Sequence, residues 1–206
     1  MILRSADEVL IGRAKLTAGS FAPAVKPIGV NAERFSHTMR RGEKTKRKKH
    51  MKSVIIYYSN SGVTAALAKK VQSVFGSQLA EVKPRVPYGN YFSAVIRAGK
   101  ERKRKITAEY DAPALDLSGI DVVFAGYPIW YSDAPAFILD FISKLPLEGK
   151  TVIPFAASNV SGIKGSLEKL RAAAKGASVS HPYSAGKLFK DDFDKWAEEI
   201  KKAFPD

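Results

Sequence analysis

The clearest chemistry in the chain lies in a hydroxyl-rich hexapeptide made of Ser59, Asn60, Ser61, Gly62, Val63 and Thr64. Its two serines and its threonine can each donate a hydroxyl, and Gly62 lets a ligand approach the backbone closely. Asn60 and Val63 add backbone amides. Amides and hydroxyls without a neighbouring Lys or Arg suit a monophosphate ester that is held by several hydrogen bonds.

The flanking residues place this hexapeptide between a strand and a helix. An apolar run at 54–58 leads into it, and residues 65–75 have the composition of a helix. The first N–H groups of a helix are unpaired and lie at the positive end of its dipole, so they attract anions. The turn is not a triphosphate-binding loop of the Walker type, because it lacks the lysine of that motif. It is not the dinucleotide-binding motif G-x-G-x-x-G either, because it contains only one glycine. A serine-rich helix cap without a ligand is the alternative.

A loop rich in aromatic residues and prolines follows the third predicted strand. It contains Tyr127, Pro128, Ile129, Trp130, Tyr131, Ser132, Asp133, Ala134 and Pro135. Such a loop is stiff and flat, and it is suited to stacking on a planar ring. The alternative is that Trp130 and Tyr131 pack beneath a neighbouring helix.

A small polar loop at residues 157–165 follows the fourth predicted strand. Its candidate binding residues are Ser158, Asn159 and Gly162, because this stretch offers many backbone donors that can close over the polar edge of a ring. The same residue types are also ordinary turn formers.

Strand and helix patterns alternate from Lys52 onward. The predicted strands cover residues 53–58, 78–83, 121–126, 151–157 and 178–183, and the predicted helices cover residues 65–75, 91–103, 136–144, 164–175 and 192–204. The pattern predicts an α/β fold with a doubly wound open sheet of five parallel strands and helices on both faces. Ligands of such sheets bind beyond the carboxyl ends of the strands, where the three loops are expected to meet.

The composition excludes several other kinds of site. The chain has 206 residues, of which 45% are apolar, as is typical of one globular domain. It has no cysteine and its three histidines lack ligand spacing, so we expect no thiolate chemistry and no metal. No apolar run is long enough to span a bilayer and no secretory signal is recognisable, which predicts a soluble cytoplasmic protein.

More than half of the net charge of +14 lies in the first quarter of the chain. Residues 1–51 carry 12 Lys/Arg against 4 Asp/Glu, whereas residues 52–206 carry 22 against 16. We expect a disordered basic extension at 1–51 and a folded domain at 52–206. The basic run at residues 40–49 either binds nucleic acid or an anionic surface, or is a solvated tail. A third interpretation is that Met51 is the true first residue.

The three loops together resemble the flavodoxin family. The resemblance rests on the S-x-S-G-x-T turn of residues 59–64, on G-Y-P-I-W-Y at 126–131 and on K-T-V-I-P-F-A-A-S at 150–158. It is strongest to short flavodoxin-like proteins that carry Y-P-I-W-W in the second loop, and it covers most of residues 52–200. The resemblance implies noncovalent FMN, with its phosphate on residues 59–64, its isoalloxazine on residues 127–131 and its pyrimidine side near residues 158–165.

Two features depart from the family pattern. Common members carry W-W-G where this chain has Trp130, Tyr131 and Ser132, so a serine replaces the glycine whose peptide can flip toward the reduced flavin. Flavodoxins that act purely as electron carriers tend to be acidic around the flavin, whereas residues 52–206 of this chain are basic.

The resemblance implies a redox protein that passes electrons through FMN between partner proteins, or from a reduced pyridine nucleotide to an acceptor. One alternative is a flavin-dependent NAD(P)H:quinone or substrate reductase. An alternative of another class is a flavin-free module that holds nucleic acid or an acidic protein. Its basic residues would be Lys100, Arg102, Lys103, Arg104 and Lys105. The sequence leaves open whether the protein is an enzyme or a carrier.

Overall fold

The computed structural model of the chain describes residues 51–158, 160–186, 188–189 and 191–205. The expectations for residues 1–50 and for Asn159 lie outside these ranges and stay predictions. The strands are β1 Ser53–Tyr57, β2 Gln78–Glu81, β3 Lys83–Pro84, β4 Tyr110–Asp111, β5 Val122–Pro128, β6 Thr151–Ala157, β7 Ser178–Val179 and β8 Tyr183–Ala185. The α-helices are α1 Val63–Phe75, α2 Tyr91–Arg104, α3 Ala136–Ser143, α4 Leu167–Ala173 and α5 Phe193–Ala203.

The main sheet is parallel throughout and has the strand order β2-β1-β5-β6-β7, with β8 also paired to β6. The predicted parallel sheet with five strand positions is therefore confirmed. The fifth position is broken, because β7 pairs with the start of β6 and β8 with its end. The single strand predicted for residues 178–183 was wrong, since His181 has a φ of 49° and Pro182 has no N–H to donate.

Helices cover both faces of the sheet, as the sequence predicted. On one face, α1 and α5 pack around buried residues that include Val71, Phe124 and Trp196. On the other face, α2, α3 and α4 pack around residues that include Phe137 and Leu170. Alternate residues of β1 contribute to the two cores, which is why the strand is apolar on both sides.

Two local features differ from the predictions. The second predicted strand ends at Glu81, and Lys83–Pro84 pairs instead with Tyr110–Asp111 in a small antiparallel sheet. The helix predicted for residues 164–175 begins as a 3₁₀ turn at Lys164–Ser166 and continues as α4. None of the helices in the described ranges is long and apolar enough to cross a membrane.

Candidate functional site

The site lies where two chain connections leave the sheet on opposite faces. The helix after β1 packs on one face, and the helix after β5, its neighbour in the sheet, packs on the other. A crevice therefore opens beyond the carboxyl ends of these two strands, which is the position where doubly wound sheets bind ligands.

Helix α1 begins at this crevice without a side-chain cap. Its N-cap residue is Gly62, with a φ of 85°, and no side chain within the described ranges caps the helix. The first amide bonded within the helix is that of Ala66, which donates to the Gly62 carbonyl at 2.9 Å. By contrast, the Asn90 side chain caps α2 by accepting from the Ser93 amide. The hydroxyls before α1 thus do not serve as a helix cap, and the first residues of the helix, Val63 and Thr64, line the crevice.

The hydroxyl of Ser59 is buried and has no hydrogen-bond partner among the described residues. A buried hydroxyl without a partner costs roughly 1 to 3 kcal/mol, so such groups usually have a ligand, an ion or water. The next residue is fixed in place: the Tyr58 hydroxyl donates to Asn60 Oδ1 at 2.9 Å, and Asn60 Nδ2 donates to the Gly89 carbonyl at 3.1 Å. Burial raises the pKa of the Tyr58 phenol, which keeps it a neutral donor.

A cavity of about 270 Å³ occupies the crevice. Nine predicted site residues line it: Asn60, Ser61, Val63, Thr64, Pro128, Ile129, Trp130, Tyr131 and Ser158. The lining residues of the described chain include no charged side chain. The cavity therefore suits a neutral planar group at its centre, with polar contacts supplied by amides and hydroxyls.

The two aromatic residues of the second loop lie in different environments. Trp130 is only 6% exposed, and its ring centroid lies 4.8 Å from that of Tyr88 and 6.0 Å from that of Tyr58. Tyr131 is 48% exposed and lies against Gly99 of α2, where a Cβ would come within 2.6 Å of its hydroxyl. Trp130 is thus a core residue that also lines the cavity, and Tyr131 is a surface residue at the mouth of the cavity.

Four predicted site residues do not line the cavity: Ser59, Gly62, Tyr127 and Gly162. The first two precede α1, as described above. Tyr127 is fully buried, and its hydroxyl lies 3.0 Å from Ser166 Oγ. Because Ser166 Oγ donates to the Ile163 carbonyl, the Tyr127 hydroxyl is the donor in this pair. Gly162 is a left-handed residue, with a φ of 61°, in the loop that follows β6.

Sequence reasoning missed two parts of the cavity wall. Tyr91 and Val95 come from the first turns of α2, and Ala185 and Gly186 come from the end of β8. Ala185 and Gly186 could have been predicted, because they lie at the carboxyl end of a further parallel strand, where such sheets bind ligands. Gly186 is required there, because a Cβ would overlap the Ser158 carbonyl oxygen.

The fold and the crevice define a doubly wound α/β protein with a cavity at the switch point of its sheet. A family model described as Flavodoxin matches residues 52–200, and the chain belongs to this family. Comparison with curated proteins finds no match.

Several solved structures are similar to the chain. A proposed flavoprotein from Bacteroides eggerthii has 28% identity and a TM-score of 0.62, covering 74% of this chain and 97% of its own. A second proposed flavoprotein, from Bacteroides uniformis, has 26% identity and a TM-score of 0.62, and the match covers 73% of this chain and 97% of that protein. A flavoprotein from Lactobacillus acidophilus in complex with FMN has 22% identity and a TM-score of 0.60, and the match covers 71% of this chain and 99% of that protein.

Proposed function

We propose that the chain binds FMN noncovalently in this cavity and works as a flavodoxin-type redox protein. The unpaired, buried hydroxyl of Ser59 beside the uncapped start of α1 carries the proposal. The Ser59 hydroxyl lacks a hydrogen-bond acceptor, and a phosphate oxygen would supply one. Membership of the flavodoxin family and the FMN complex of the Lactobacillus acidophilus flavoprotein support the same ligand.

The residues of the crevice fit the two ends of FMN. The hydroxyls of Ser59, Ser61 and Thr64 and the first amides of α1 would hold the phosphate. Residues 128–131, from the end of β5 into the following loop, and the loop beginning at Ser158 would contact the ring, because they line the uncharged cavity. Asn159 and Gly162 remain proposed members of the second loop.

FMN, when bound, supplies the electron-accepting and electron-donating chemistry. The protein fixes the ring, limits its contact with water and leaves its edge within reach of partner proteins. Exposed side chains of Val63, Tyr91, Tyr131 and Val160 surround the cavity mouth, and they would cover part of the ring. Redox partner proteins or an NAD(P)H-dependent reductase are the proposed partners.

Titration of the protein with three flavins tests this proposal. We expect one FMN per chain and clearly weaker binding of riboflavin, which has the ring but no phosphate. FAD should also bind more weakly, because the start of α1 accommodates one terminal phosphate. Equal affinity for FMN and riboflavin would show that the hydroxyl turn does not bind phosphate. A colourless protein that takes up no flavin would favour the flavin-free binding module.

A second candidate function is that of a flavin-dependent NAD(P)H:quinone or substrate reductase. It is favoured by a second cavity of about 270 Å³ that shares Trp130 and Tyr131 with the first one. This cavity is lined by apolar residues such as Leu139 and by charged residues of both signs, namely Glu101, Arg102, Lys105, Asp133 and Lys169. Steady-state turnover with NAD(P)H and a quinone distinguishes the two functions, since a carrier turns over slowly without its reductase.

A further inference from the structure

Helix α2 presents large apolar side chains to solvent next to the site. Phe92 is 77% exposed and Ile96 is 58% exposed. Lys100 and Lys103 continue the same face, because the four positions are spaced by four, four and three residues. The only buried residue of α2 is Ala94. The exposed face of α2, defined by Phe92, Ile96, Lys100 and Lys103, is therefore apolar in its first half and cationic in its second.

The positive charge of this helix is not neutralised by its own acid. Glu101 is the only acidic residue between Tyr91 and Lys105, and both of its oxygens are engaged. Glu101 Oε2 accepts from the Tyr88 hydroxyl at 2.6 Å, and Oε1 accepts from Arg97 Nε at 2.7 Å. Within the described chain, neither Lys100 nor Lys103 forms an ion pair. The exposed face of α2 thus has a charge that an acidic partner can complement.

This face is continuous with the mouth of the proposed flavin cavity. A shallow groove between α2 and Tyr131 is lined by Ile96, Lys100 and Lys103. Arg102 Nη1 donates to the Tyr131 carbonyl at 3.0 Å and so fixes the loop against the helix. Tyr131 also lines the cavity, and it therefore joins the exposed face of α2 to the proposed flavin cavity.

We propose that the exposed face of α2 is the docking surface for an acidic redox protein. The electron-transfer part of this proposal rests on the proposed function. Acidic side chains of the partner would pair with Lys100 and Lys103, and an apolar patch would cover Phe92 and Ile96. A second copy of the chain is disfavoured because a two-fold contact would bring two cationic faces together. A nucleic acid backbone would pair with the lysines but would leave Ile96 uncovered.

The test uses the full chain loaded with FMN and two redox proteins of opposite charge. Plastocyanin, an acidic copper protein, and cytochrome c, a basic haem protein, are mixed separately with protein whose FMN was reduced by dithionite. Two Cu(II) are reduced to Cu(I), or two ferric haems to ferrous, for each FMN that would be reoxidised, and the protons of the reduced flavin pass to the solvent. We expect the plastocyanin rate to fall and the cytochrome c rate to rise as salt is added.

Three double variants locate the effect on the surface of the protein. Lys100→Glu with Lys103→Glu should lower the plastocyanin rate about tenfold or more at low salt and change it little at high salt. The matched control, Lys195→Glu with Lys202→Glu, makes the same charge change on α5, which packs on the other face of the sheet. That control should have little effect. Replacing Phe92 and Ile96 by serine should lower the rate at every salt concentration, because apolar contacts are not screened.

A second readout does not depend on electron transfer. Backbone amide shifts of the protein are recorded during titration with oxidised plastocyanin, with and without FMN, and shifts along α2 are expected. Equal effects of the two charge-reversal pairs, or shifts elsewhere, would overturn the docking surface. Sedimentation that shows a dimer lost only in the α2 variant would assign the face to self-association instead. FMN titration of every variant shows separately whether the flavin site itself exists.

Discussion

Trp130 and Asp133 bond to each other through both of their backbone groups. Each amide donates to the other residue's carbonyl at 3.0 Å, which closes a two-residue hairpin turn at the mouth of the cavity. The two enclosed residues, Tyr131 and Ser132, have φ values of 51° and 61°. These are the φ signs of a type I′ turn, which favours glycine and asparagine. Ser132, at the position where common family members carry glycine, therefore adopts a left-handed conformation.

Replacing Ser132 by glycine should raise the free energy of unfolding by roughly 0.5 to 1 kcal/mol. The left-handed conformation costs a residue with a Cβ about 1 to 2 kcal/mol, and the greater freedom of glycine in the unfolded chain offsets part of the gain. Urea unfolding measures the change. Ser132→Ala keeps the Cβ and is the control, for which no gain is expected. Equal stability of the two variants would contradict a strained turn.

Replacing Ser59 by alanine should separate stability from ligand affinity. The unliganded protein should be as stable as before or slightly more stable, because the buried hydroxyl has no partner in the described chain to lose. The FMN affinity should fall roughly tenfold, which corresponds to about 1.4 kcal/mol and to one hydrogen bond to a charged group. Riboflavin affinity should stay the same, since riboflavin lacks the phosphate.

The control for this experiment is Ser77→Ala. Ser77 Oγ lies 2.5 Å from Ser53 Oγ, and the pair is at the amino end of the sheet. This variant should lose about 1 kcal/mol of stability and keep its FMN affinity. If Ser59→Ala behaves like Ser77→Ala in both assays, the Ser59 hydroxyl does not contact phosphate.

Gly62 and Gly149 form a matched pair for testing whether residues 59–64 bind phosphate. Both are left-handed, with φ values of 85° and 69°, and neither has an atom within 4 Å of an added Cβ. Alanine at either position should lower the free energy of unfolding by about 1 to 2 kcal/mol. Only Gly62→Ala should also weaken FMN binding, because Gly62 is the N-cap residue of α1 and precedes the amides that would hold the phosphate. Fluorescence titration with FMN measures this difference, and equal affinity of the two variants would place the phosphate elsewhere.

The aromatic residues of the second loop should differ in their effects. Tyr131→Ala should weaken FMN by roughly 1 to 3 kcal/mol, by analogy with the loss of one stacked ring, and should raise the reduction potential. It should change stability little, because the side chain is half exposed. Trp130→Ala should in addition lose about 3 to 5 kcal/mol of stability, since Trp130 packs on Tyr88.

Phe92→Ala is the control for these two variants. Phe92 is as large as a tyrosine, is exposed and does not line the cavity. It should leave both FMN affinity and flavin fluorescence unchanged. If Tyr131→Ala and Trp130→Ala also bind FMN with unchanged affinity and spectrum, the ring lies away from this loop.

The protein should lose stability in alkaline solution, between about pH 10 and about pH 12. Burial raises the pKa of Tyr127 to about 12, whereas a tyrosine in the unfolded chain titrates near 10. The neutral phenol stabilises the fold fully below pH 10, and this contribution, roughly 3 kcal/mol, is lost as the pH rises to 12. Denaturant unfolding at a series of pH values measures the decline. Tyr127→Phe cannot ionise there and should show a shallower decline from a lower starting stability.

The sequence by itself determined the order of the elements and the edge of the sheet at which the cavity lies. Apolar strands such as residues 54–56 and 122–125 can only lie between two layers of helices, and the alternation of elements makes their sheet parallel. Parallel strands bring their carboxyl ends to one edge, so the three loops had to meet. These conclusions depend on local composition and periodicity, which a single sequence contains.

Only the tertiary structure decided which side chains face the cavity. Tyr127 and Trp130 are three residues apart, Tyr127 near the end of β5 and Trp130 just after the strand. Tyr127 is fully enclosed beside Ser166, whereas Trp130 packs on Tyr88 and still lines the cavity. The same holds for Ser59, whose hydroxyl is recognisable as unpaired only once its surroundings are in place. Burial and hydrogen bonding depend on residues that are distant in the chain, and their partners cannot be identified from local patterns.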